Sequence, residues 1–467
     1  MRTTRAIPTG RPAVAALGVL LLLAAAAVPA TAAGGDWPQF GRTAQHPNTA
    51  PAETAFTPGD VARLAVAWTG RIAAHDAVTE AGPVVAGGSV YVTDADGNLS
   101  AFDAAGCGAA ACAPRWHGHT GNDTTSSAAV AGGLVLVGSA DHVLYAFPAA
   151  GCGQPTCPPR WRARLADAVI DSSVAVAGGV AYVGDVGGRL YAFAVKGCGA
   201  ALCKPLWVGQ AGAGQALRSP AVGGGSVFVG SFQATPEEFT GSLFAFPAAG
   251  CGRPTCAPSW SADLGGPADR DAAPLVAGDT VFAGSSERFG GVNGDHLFAF
   301  AAGGCGARTC RPLRAYDVGD AGITTTPALA GDTLLAATQA TPDPNTVGVV
   351  AAFPAHGCGA ARCEPLWTGV NFAGGFESSP VVAGKVVFVG KGPASGFPVD
   401  AGVYAFDLRG CGAPVCQPLS FTQLSESQDY MGSSLAVAGG TVLLDSTANL
   451  PDQTSQTNLY ALALPGS

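Results

Sequence analysis

Four acidic residues recur at one position of a repeated pattern and could form a charged site. They alternate with uncharged residues at the same position of the intervening repeats, and they are Glu80, Asp171, Asp271 and Glu377. If the repeats form a closed ring, as argued below, these four carboxylates face its central channel. There they repel one another, and a bound cation or basic group would relieve that repulsion. The alternative is that each acid bonds to nearby backbone N–H groups or pairs with Arg218 or Arg270. We therefore predict a candidate ligand site at a channel mouth.

The cysteines form a second set of chemically active side chains. The 14 cysteines fall in pairs of the form Gly-Cys-Gly-x-x-x-Cys, which are Cys107 and Cys112, Cys152 and Cys157, Cys198 and Cys203, Cys251 and Cys256, Cys305 and Cys310, Cys358 and Cys363, and Cys411 and Cys416. Zinc sites normally combine close pairs with Cys-x-x-Cys spacing, and thioredoxin-like redox sites use that spacing too. The longer spacing here predicts a local disulfide in each pair and no metal.

Two other polar groups resemble metal sites. His117 and His119 with Asp123 have the residue types of a metal site, but a strand would place both histidines on one solvent-facing surface. Residues 94–98 (Asp-Ala-Asp-Gly-Asn) resemble the start of a calcium loop, but the later ligands are missing and Asp-Gly is a common hairpin turn. We interpret these as surface and turn residues. The sequence contains no Gly-x-Ser-x-Gly, His-Glu-x-x-His or phosphate-loop motif.

The cysteine spacing also reveals a repeat. Successive first cysteines are 45, 46, 53, 54, 53 and 53 residues apart, which indicates repeated supersecondary units. Each unit contains four short β-rich runs that are separated by Gly pairs and Asp/Gly turns. The opening run occurs eight times. The fourth run, which usually carries a tryptophan, also occurs eight times and is marked by Trp68, Trp116, Trp161, Trp207, Trp260, Arg314, Trp367 and Leu419.

The order of the runs predicts how the ring closes. The run around Trp68 precedes any complete unit, and the last unit lacks a fourth run. If residues 64–70 complete the last unit, the ring has no exposed end edges. We therefore predict an all-β fold, an eight-bladed β-propeller of four-stranded antiparallel blades that is closed by an N-terminal strand pairing with the last blade.

The repeats resemble those of the pyrroloquinoline-quinone (PQQ) type, or quinoprotein-like, β-propellers. Residues 82–92 (Gly-Pro-Val-Val-Ala-Gly-Gly-Ser-Val-Tyr-Val), residues 96–103 and Trp116 match that repeat, and residues 37–42 and 57–68 resemble its lead-in. The resemblance implies that Ala101, Asp103 and Trp116 dock neighbouring blades. It extends the docking role to the other tryptophans of the fourth run, namely Trp68, Trp161, Trp207, Trp260 and Trp367.

This family includes both quinoprotein dehydrogenases and non-enzymatic binding propellers. In the dehydrogenases the resemblance implies PQQ and Ca²⁺ in the central funnel, an Asp base and, in the alcohol enzymes, a disulfide between adjacent cysteines. This chain has no adjacent cysteines and no Cys-x-x-Cys-His haem motif. Without residues 1–33 its net charge would change from −9 to −12, which disfavours a cofactor with three carboxylates. We expect no catalytic residues and no cofactor, and PQQ with Ca²⁺ is the alternative.

The N-terminus and the charge indicate the compartment and the partner classes. Residues 1–33 combine three arginines, an apolar run and a small-residue cleavage site, so we expect a signal peptide, an extracytoplasmic location and no stable membrane anchor. The acidic balance excludes nucleic acid. We expect a monomer with a lead-in segment over residues 34–63 and a propeller over residues 64–467.

The loops between the second and third runs suggest where binding takes place. They are tight in blades one to three but long in blades four to eight, and variable loops on a rigid scaffold commonly carry function. We therefore expect a secreted scaffold that binds a protein or small ligand on the face with the long loops. One alternative is a PQQ-dependent alcohol or sugar dehydrogenase. Another is a carbohydrate-binding surface protein that uses aromatic platforms, for which the sequence offers Phe232, Phe239, Phe289, Phe372, Phe376, Phe397 and Tyr430.

Overall fold

The structure is a computed structural model of the chain. It describes residues 1, 35–73, 81–235, 239–268, 272–285, 296–318, 323, 325–338, 348–371, 376, 378–391, 401–424, 429–430, 434–449 and 455–466. The chain divides into two compact units, residues 1–31 and residues 32–467. The second unit contains all the strands described below.

Eight antiparallel sheets form the second unit, and they confirm the predicted eight-bladed, all-β propeller. Strands are numbered one to four from the channel outward in each blade. The first four blades contain Val84–Ala86, Ser89–Thr93, Asn98–Asp103 and Trp116–His119; Ala129–Ala131, Leu134–Ser139, Val143–Pro148 and Trp161–Arg164; Ala175–Ala177, Val180–Gly184, Arg189–Ala194 and Trp207–Gln210; and Ala221–Gly223, Ser226–Ala234, Ser242–Pro247 and Trp260–Asp263.

Blades five to eight follow the same plan, with shorter elements between them. Their strands are Leu275–Ala277, Thr280–Gly284, His296–Ala301 and Arg314–Asp317; Ala328–Ala330, Thr333–Ala337, Gly348–Pro354 and Trp367–Asn371; Val381–Ala383, Val386–Lys391, Gly402–Asp407 and Ser420–Gln423; and Ala436–Ala438, Thr441–Asn449, Ser455–Ala463 and Ala65–Ala73. The short elements are Thr49–Ala50, Ala111–Cys112, Ala216–Leu217, Phe239–Thr240, Thr255–Cys256, Arg362–Cys363, Val415–Cys416, Asp429–Tyr430 and the 3₁₀ helix Val61–Arg63.

The ring closes through blade eight. Its fourth strand, Ala65–Ala73, comes from the N-terminal part of the chain and pairs antiparallel with Ser455–Ala463, from Ala65 opposite Ala463 to Ala73 opposite Thr457. The closing strand was predicted over residues 64–70, and the observed strand extends three residues further. Blade eight therefore has four strands like the others, and it joins blade seven to blade one.

The apolar core is divided among the seams between successive blades. Strands two and three are buried almost continuously, as in Val143–Pro148, because a neighbouring blade lies on each side of them. Seven hydrophobic clusters result, and the largest joins blades seven, eight and one through residues such as Phe388, Leu462 and Phe102. Burial is therefore distributed round the ring.

The antiparallel order defines two faces. Turns between strands one and two emerge with the cysteine loops on one side, which we call the clip face. Hairpins between strands two and three emerge with the blade-to-blade connections on the opposite side, which we call the loop face. The long loop of blade eight, expected over residues 446–457, is shorter than that, because residues 446–449 and 455–457 continue the two nine-residue strands and pair with each other.

Candidate functional site

The central channel is lined by strand one of each blade, and the chain's own N-terminal segment lies against it. We call residues 36–53 the strap. In blade one, Trp37 and Val85 exchange both backbone hydrogen bonds at 2.8 Å. In five later blades the middle residue of strand one donates its N–H to a strap carbonyl: Val130 to Pro38 (2.7 Å), Val222 to Ala44 (2.6 Å), Val276 to Gln45 (2.9 Å), Leu329 to Pro47 (2.9 Å) and Val382 to Asn48 (2.9 Å).

Side chains of the strap contact the two remaining blades. The Gln39 amide accepts from the Val176 N–H at 2.7 Å and donates to the Val176 carbonyl at 3.3 Å in blade three. The Glu53 carboxylate accepts from the Gly440 N–H at 2.9 Å in blade eight. The strap therefore has a hydrogen-bonded contact with every blade, in chain order.

The strap turns sharply because four of its residues adopt a left-handed backbone. These residues are Gly41, Arg42, His46 and Asn48, with φ between 50° and 75°. A Cβ at Gly41 would lie 2.6 Å from the Cα of His46, so this turn requires glycine. Positive φ is tolerated by Asn and His more readily than by bulky apolar residues. The curvature lets a short segment follow the inner wall of a ring.

His46 lies wholly inside the channel wall. Its Nδ1 is 3.1 Å from the Pro274 carbonyl of blade five, and its ring makes an edge contact with Phe40 at 5.2 Å. Burial lowers the pKa of His46 from 6.5 to about 4, and the hydrogen bond to Pro274 opposes that shift only partly. The imidazole is therefore neutral at physiological pH. Trp37 of the strap is buried to the same extent, and both side chains are 1% exposed.

The two ends of the strap contact turns of the clip face. The Asp36 carboxylate accepts from the Gly87 N–H at 3.3 Å, and the Ala50 carbonyl accepts from the Gly384 N–H at 3.3 Å. Both glycines belong to turns between strands one and two, which emerge on the clip face.

A belt of hydroxyl groups joins the blades at the start of strand one, towards the loop face. The N–H of Ser127 donates to Ser173 Oγ at 3.0 Å, and the N–H of Ser173 donates to Ser219 Oγ at 2.8 Å. The same bond runs from Ala273 to Thr326 and from Thr326 to Ser379. These bonds satisfy backbone groups of the channel wall, and they explain why Ser or Thr occurs at the start of six of the eight repeats.

One charged pair lies next to this belt along the chain, just before strand one of blades three and four. Asp171 in blade three and Arg218 in blade four form an ion pair at 2.9 Å, and their side chains are only 10% and 8% exposed. The Arg218 Nε also donates to the Ala268 carbonyl at 3.3 Å, and its guanidinium lies 5.2 Å from the Phe232 ring centre. Burial raises the pKa of Asp171, whereas Arg218 and Thr125 oppose that rise.

The other predicted mouth residues lie outside the described residues. These are Glu80, Arg270, Asp271 and Glu377. Of the predicted set, the structure therefore brings together Asp171 and Arg218, the pairing that we weighed as the alternative to a repelling ring. The alternating acidic ring stays a prediction.

The other candidate metal ligands have structural partners. His117 Nδ1 lies 3.0 Å from Ser100 Oγ, and His119 is exposed at the end of its strand. Asp94 accepts from the backbone and side-chain nitrogens of Asn98, as a hairpin-turn aspartate does. Within the described ranges, no group of three or more His, Cys, Asp or Glu residues could hold a metal ion.

All seven predicted cysteine pairs are disulfides, and each belongs to a loop that we call a clip. The clips do more than close their own loops. Residues just before the second cysteine pair in parallel with strand four of the preceding blade, as Val415 does with Thr368. Each clip therefore covers a neighbour's outer edge, which the spacing of the cysteines did not predict.

The outer-strand tryptophans contact the next blade at its clip. A Cβ at Gly151 would lie 2.8 Å from Trp116 Cδ1, and the equivalent glycine approaches each of the other tryptophans. The Trp161 indole N–H also donates to the Val195 carbonyl at 3.1 Å. Asp103 accepts from the Ala105 N–H and faces Arg115 within its own blade, and its docking role stays a prediction.

Two fourth-strand positions lack a tryptophan. Arg314 takes its place in blade five, where its guanidinium lies beside Gly357 of the next clip. Leu419 was predicted to hold the equivalent position in blade seven, but that position belongs to Ser420, which pairs with Ala405. Leu419 is one residue early and is 37% exposed.

The aromatic platforms of the carbohydrate-binding alternative find limited support. Phe376 is fully buried and packs against Tyr404 and Phe406, so it cannot present a face to a sugar. Phe232 and Phe239 lie 5.7 Å apart on an extension of the blade-four hairpin, and both are half-buried. Phe289, Phe372, Phe397 and the side chain of Tyr430 lie outside the described residues.

Comparison with known proteins gives the family. A family model described as "Outer membrane protein assembly factor BamB", of the PQQ type, matches residues 158–410, which is just over half of the chain. The chain belongs to this PQQ-type β-propeller family. The resemblance drawn from its repeats is therefore confirmed. No curated protein matches this propeller at the level of sequence.

Solved structures of two kinds share the fold of this PQQ-type propeller. BamB from Moraxella catarrhalis has 16% sequence identity and a TM-score of 0.54, covering 85% of this chain and 99% of its own. The quinohemoprotein alcohol dehydrogenase from Comamonas testosteroni has 13% identity and a TM-score of 0.65, covering 94% and 82%. A europium-containing methanol dehydrogenase has 14% identity and a TM-score of 0.66, covering 92% and 98%. At these identities the likeness concerns the fold.

The described residues of the channel do not fit PQQ and Ca²⁺. Arg218, a buried cation just before strand one of blade four, is already paired with Asp171 at 2.9 Å. The strap uses inner-strand N–H groups that could otherwise bind carboxylates. We therefore derive no reaction step through the cofactor.

The disulfides indicate an oxidising, extracytoplasmic compartment for this propeller. Among the described residues, no helix is long and apolar enough to cross a membrane.

Proposed function

We propose that this protein is a secreted binding scaffold whose ligand, a protein or a small molecule, is held at the loop-face mouth of the channel. The strap is the observation that supports this assignment most directly, because its two ends contact clip-face turns, and we place the ligand at the opposite end of the channel. The mouth combines the buried Asp171–Arg218 pair with the half-buried Phe232 ring. Charged and aromatic groups that are already positioned by a rigid frame favour specific binding.

We include Glu80, Asp271 and Glu377, with Arg270, in the proposed mouth. Their repeat positions are equivalent to that of Asp171 in blades one, five and seven. A mouth with this excess of carboxylates favours a ligand that carries a cationic group. Phe232 beside Arg218 supplies an apolar wall for the same ligand.

We propose that residues 1–33 are a signal peptide and that the exported chain contains the lead-in over 34–63 and the propeller over 64–467. The disulfides support export, because cytosolic thiols remain reduced. The intact mass of the exported protein tests this, with cleavage expected after Ala32 or Ala33. An exported chain that retains residues 1–33 would contradict the proposal.

Site-specific photo-crosslinking tests where the scaffold binds. A crosslinking residue is placed at Ile170, which is 37% exposed beside Asp171 on the loop face. The matched position is Leu202, which is 57% exposed in a clip on the opposite face. In the extracytoplasmic fraction of the native host, we expect a discrete adduct from position 170 and none from position 202. The reverse pattern would contradict the proposed face.

The second candidate function is a PQQ-dependent oxidoreductase, which the family resemblance keeps open. Equilibrium dialysis of the mature protein with PQQ and CaCl₂, followed by dye-linked oxidation of alcohols and sugars, separates the two functions. We expect no retained PQQ and no dye reduction. Turnover that depends on added PQQ would replace the scaffold proposal with an enzyme.

A further inference from the structure

Seven of the eight outer strands carry an added strand from the next clip, always in one register. The residue after the tryptophan position lies opposite the residue before the second cysteine. These pairs are Thr69 and Ala111, His117 and Thr156, Arg162 and Leu202, Val208 and Thr255, Ser261 and Thr309, Ala315 and Arg362, and Thr368 and Val415. Every one of these pairings is parallel.

Backbone hydrogen bonds hold the clip on the strand. In blade six, the Thr368 N–H donates to the Pro414 carbonyl at 2.8 Å. In blade one, the His117 N–H donates to the Pro155 carbonyl, and the His117 carbonyl accepts from the Cys157 N–H, both at 2.7 Å. An outer strand of this protein thus offers one outward N–H and one outward carbonyl to an extended segment.

Blade seven departs from this pattern. Its outer strand, Ser420–Gln423, ends its sheet, and Phe421 holds the register position that the other seven blades use. Among the described residues, none pairs with Phe421 on the outward side. Blade eight supplies no clip there, because its fourth strand comes from the N-terminal part of the chain.

The segment that replaces the clip touches blade seven through side chains. The Ser420 hydroxyl donates to the Val61 carbonyl and the Thr422 hydroxyl to the Leu64 carbonyl, both at 3.3 Å. This interface between blades seven and eight lies beside the outward groups of Phe421 and leaves them unused. The strand itself is held firmly, because the Phe421 ring packs on Tyr404 at 4.6 Å and lies under Lys391 Nζ at 5.4 Å.

We propose that the outer edge of blade seven binds an extended segment of a partner protein, which runs parallel to Ser420–Gln423 in the register of the missing clip. A positioned edge strand with free backbone groups is a template for β-augmentation. The site is continuous with the interface between blades seven and eight. It is distinct from the channel mouth of the proposed function.

A second copy of this chain is a poorer occupant than a partner's segment. Two identical edges that pair about a two-fold axis within one continuous sheet run antiparallel, whereas all seven internal examples are parallel.

The seven internal examples also indicate which side chains fit opposite the edge strand. The residue opposite the strand is Thr in three clips, and in the others it is Ala, Leu, Arg or Val. Pro-Thr occurs in two of the seven clips and is therefore one of the sequences that fit.

A synthetic copy of a clip is the probe for this site. The disulfide-closed peptide Gly-Cys-Gly-Arg-Pro-Thr-Cys-Ala-Pro, with the sequence of residues 250–258, contains a complete strand-covering segment. We expect saturable one-to-one binding to the full chain, with a dissociation constant below about 1 mM. Hydrogen exchange should slow at residues 420–423. Absence of binding at about 1 mM would overturn the proposal.

A matched peptide tests the backbone geometry without altering the protein. N-methylation of the second cysteine removes the N–H that donates to the strand carbonyl. We expect at least about a tenfold loss of affinity, because a removed backbone partner leaves an unsatisfied group. Equal affinity of the methylated peptide would show that the peptide does not bind the edge through β-strand hydrogen bonds, and would overturn the proposal.

The variant Phe421→Pro removes the outward N–H from the protein side, and proline is tolerated on edge strands. Phe421→Leu keeps the N–H and is the control. We expect loss of peptide binding in the proline variant and retention in the leucine variant, with melting temperatures reporting folding. Binding that survives Phe421→Pro would overturn the proposal. A wild-type dimer that Phe421→Pro dissociates would overturn it in favour of a second copy.

Discussion

His46 shows how one buried side chain makes the strap sensitive to acid. It has a left-handed backbone with φ 58° and is 1% exposed, and burial holds its pKa at about 4. In the unfolded chain the imidazole titrates near 6.5. Because the folded pKa is depressed, the unfolded state binds more protons between these values. The stability that depends on a neutral His46 is therefore present above pH 6.5 and is lost as the pH falls towards 4.

The variant His46→Asn tests this pH dependence. Asn tolerates positive φ and can donate to the Pro274 carbonyl, but it does not titrate. Between pH 6.5 and 4 we expect the wild-type free energy of unfolding to fall by on the order of 3 kcal/mol more than that of the variant. Urea denaturation across this range measures the difference. His142→Asn is the control, because His142 has φ 67° but is exposed. Parallel wild-type and His46→Asn profiles would contradict the assignment.

The Asp171–Arg218 pair is the second residue-scale feature, and its burial determines what a substitution does. Removing one partner of a buried pair leaves an uncompensated charge, so we expect Arg218→Met to lower the free energy of unfolding by about 3 kcal/mol. Adding Asp171→Asn should recover part of this loss. Arg63→Met is the control, because Arg63 and Asp60 pair while 61% and 43% exposed, and it should leave the free energy of unfolding almost unchanged. Similar losses at both pairs would be inconsistent with burial as the cause.

At the scale of elements, a clip belongs to two blades at once. Its disulfide closes a short loop in one blade, while its backbone covers the outer strand of the preceding blade. The loop-closure term assigns about 2 kcal/mol to a six-residue ring. Removing a disulfide should therefore also destabilise the outer strand of the preceding blade, which contains neither cysteine.

Replacement of Cys152 and Cys157 by serine tests the shared clip. We expect a loss of about 2 kcal/mol in the free energy of unfolding. Hydrogen exchange should accelerate at Trp116–His119 in blade one, because the His117 N–H and carbonyl bond to residues 155 and 157. The fourth strand of blade two, Trp161–Arg164, keeps its own cover and serves as the internal control. Faster exchange confined to blade two would contradict cross-blade cover.

At the scale of the whole molecule, the features that repeat along the sequence could be predicted, whereas most features that occur once could not. Eight copies of an apolar pattern, with glycine turns, made the blades and the closing strand predictable, because each unit repeats the same burial on both faces. The strap could not be predicted, since a residue such as Gln39 bonds to Val176, which is 137 positions away, through an irregular turn with no period. The motif Trp-Pro-x-Phe-Gly followed by His-Pro-Asn was its sole local signal. The Asp171–Arg218 pair was weighed from sequence, because both residues occupy neighbouring repeat positions.

Ring closure is the feature on which the whole molecule depends, and Trp68 tests it. Trp68 and Trp116 are each 6% exposed and contact the next clip in the same way, so Trp→Ala at either site should lower the free energy of unfolding by about 3–5 kcal/mol.

The two substitutions should differ in which strands they destabilise. Trp68 lies in the strand that joins the two ends of the chain, and a repeat array with free ends frays from them. Trp68→Ala should therefore accelerate hydrogen exchange in Ser455–Ala463 and in the Ala111–Cys112 clip segment, which both pair with that strand. Trp116→Ala should affect Trp116–His119 and the clip at 152–157 and leave blade eight protected. If both variants accelerated hydrogen exchange equally throughout the ring, the closing strand over residues 65–73 would contribute no more to stability than the other outer strands. That result would contradict the prediction.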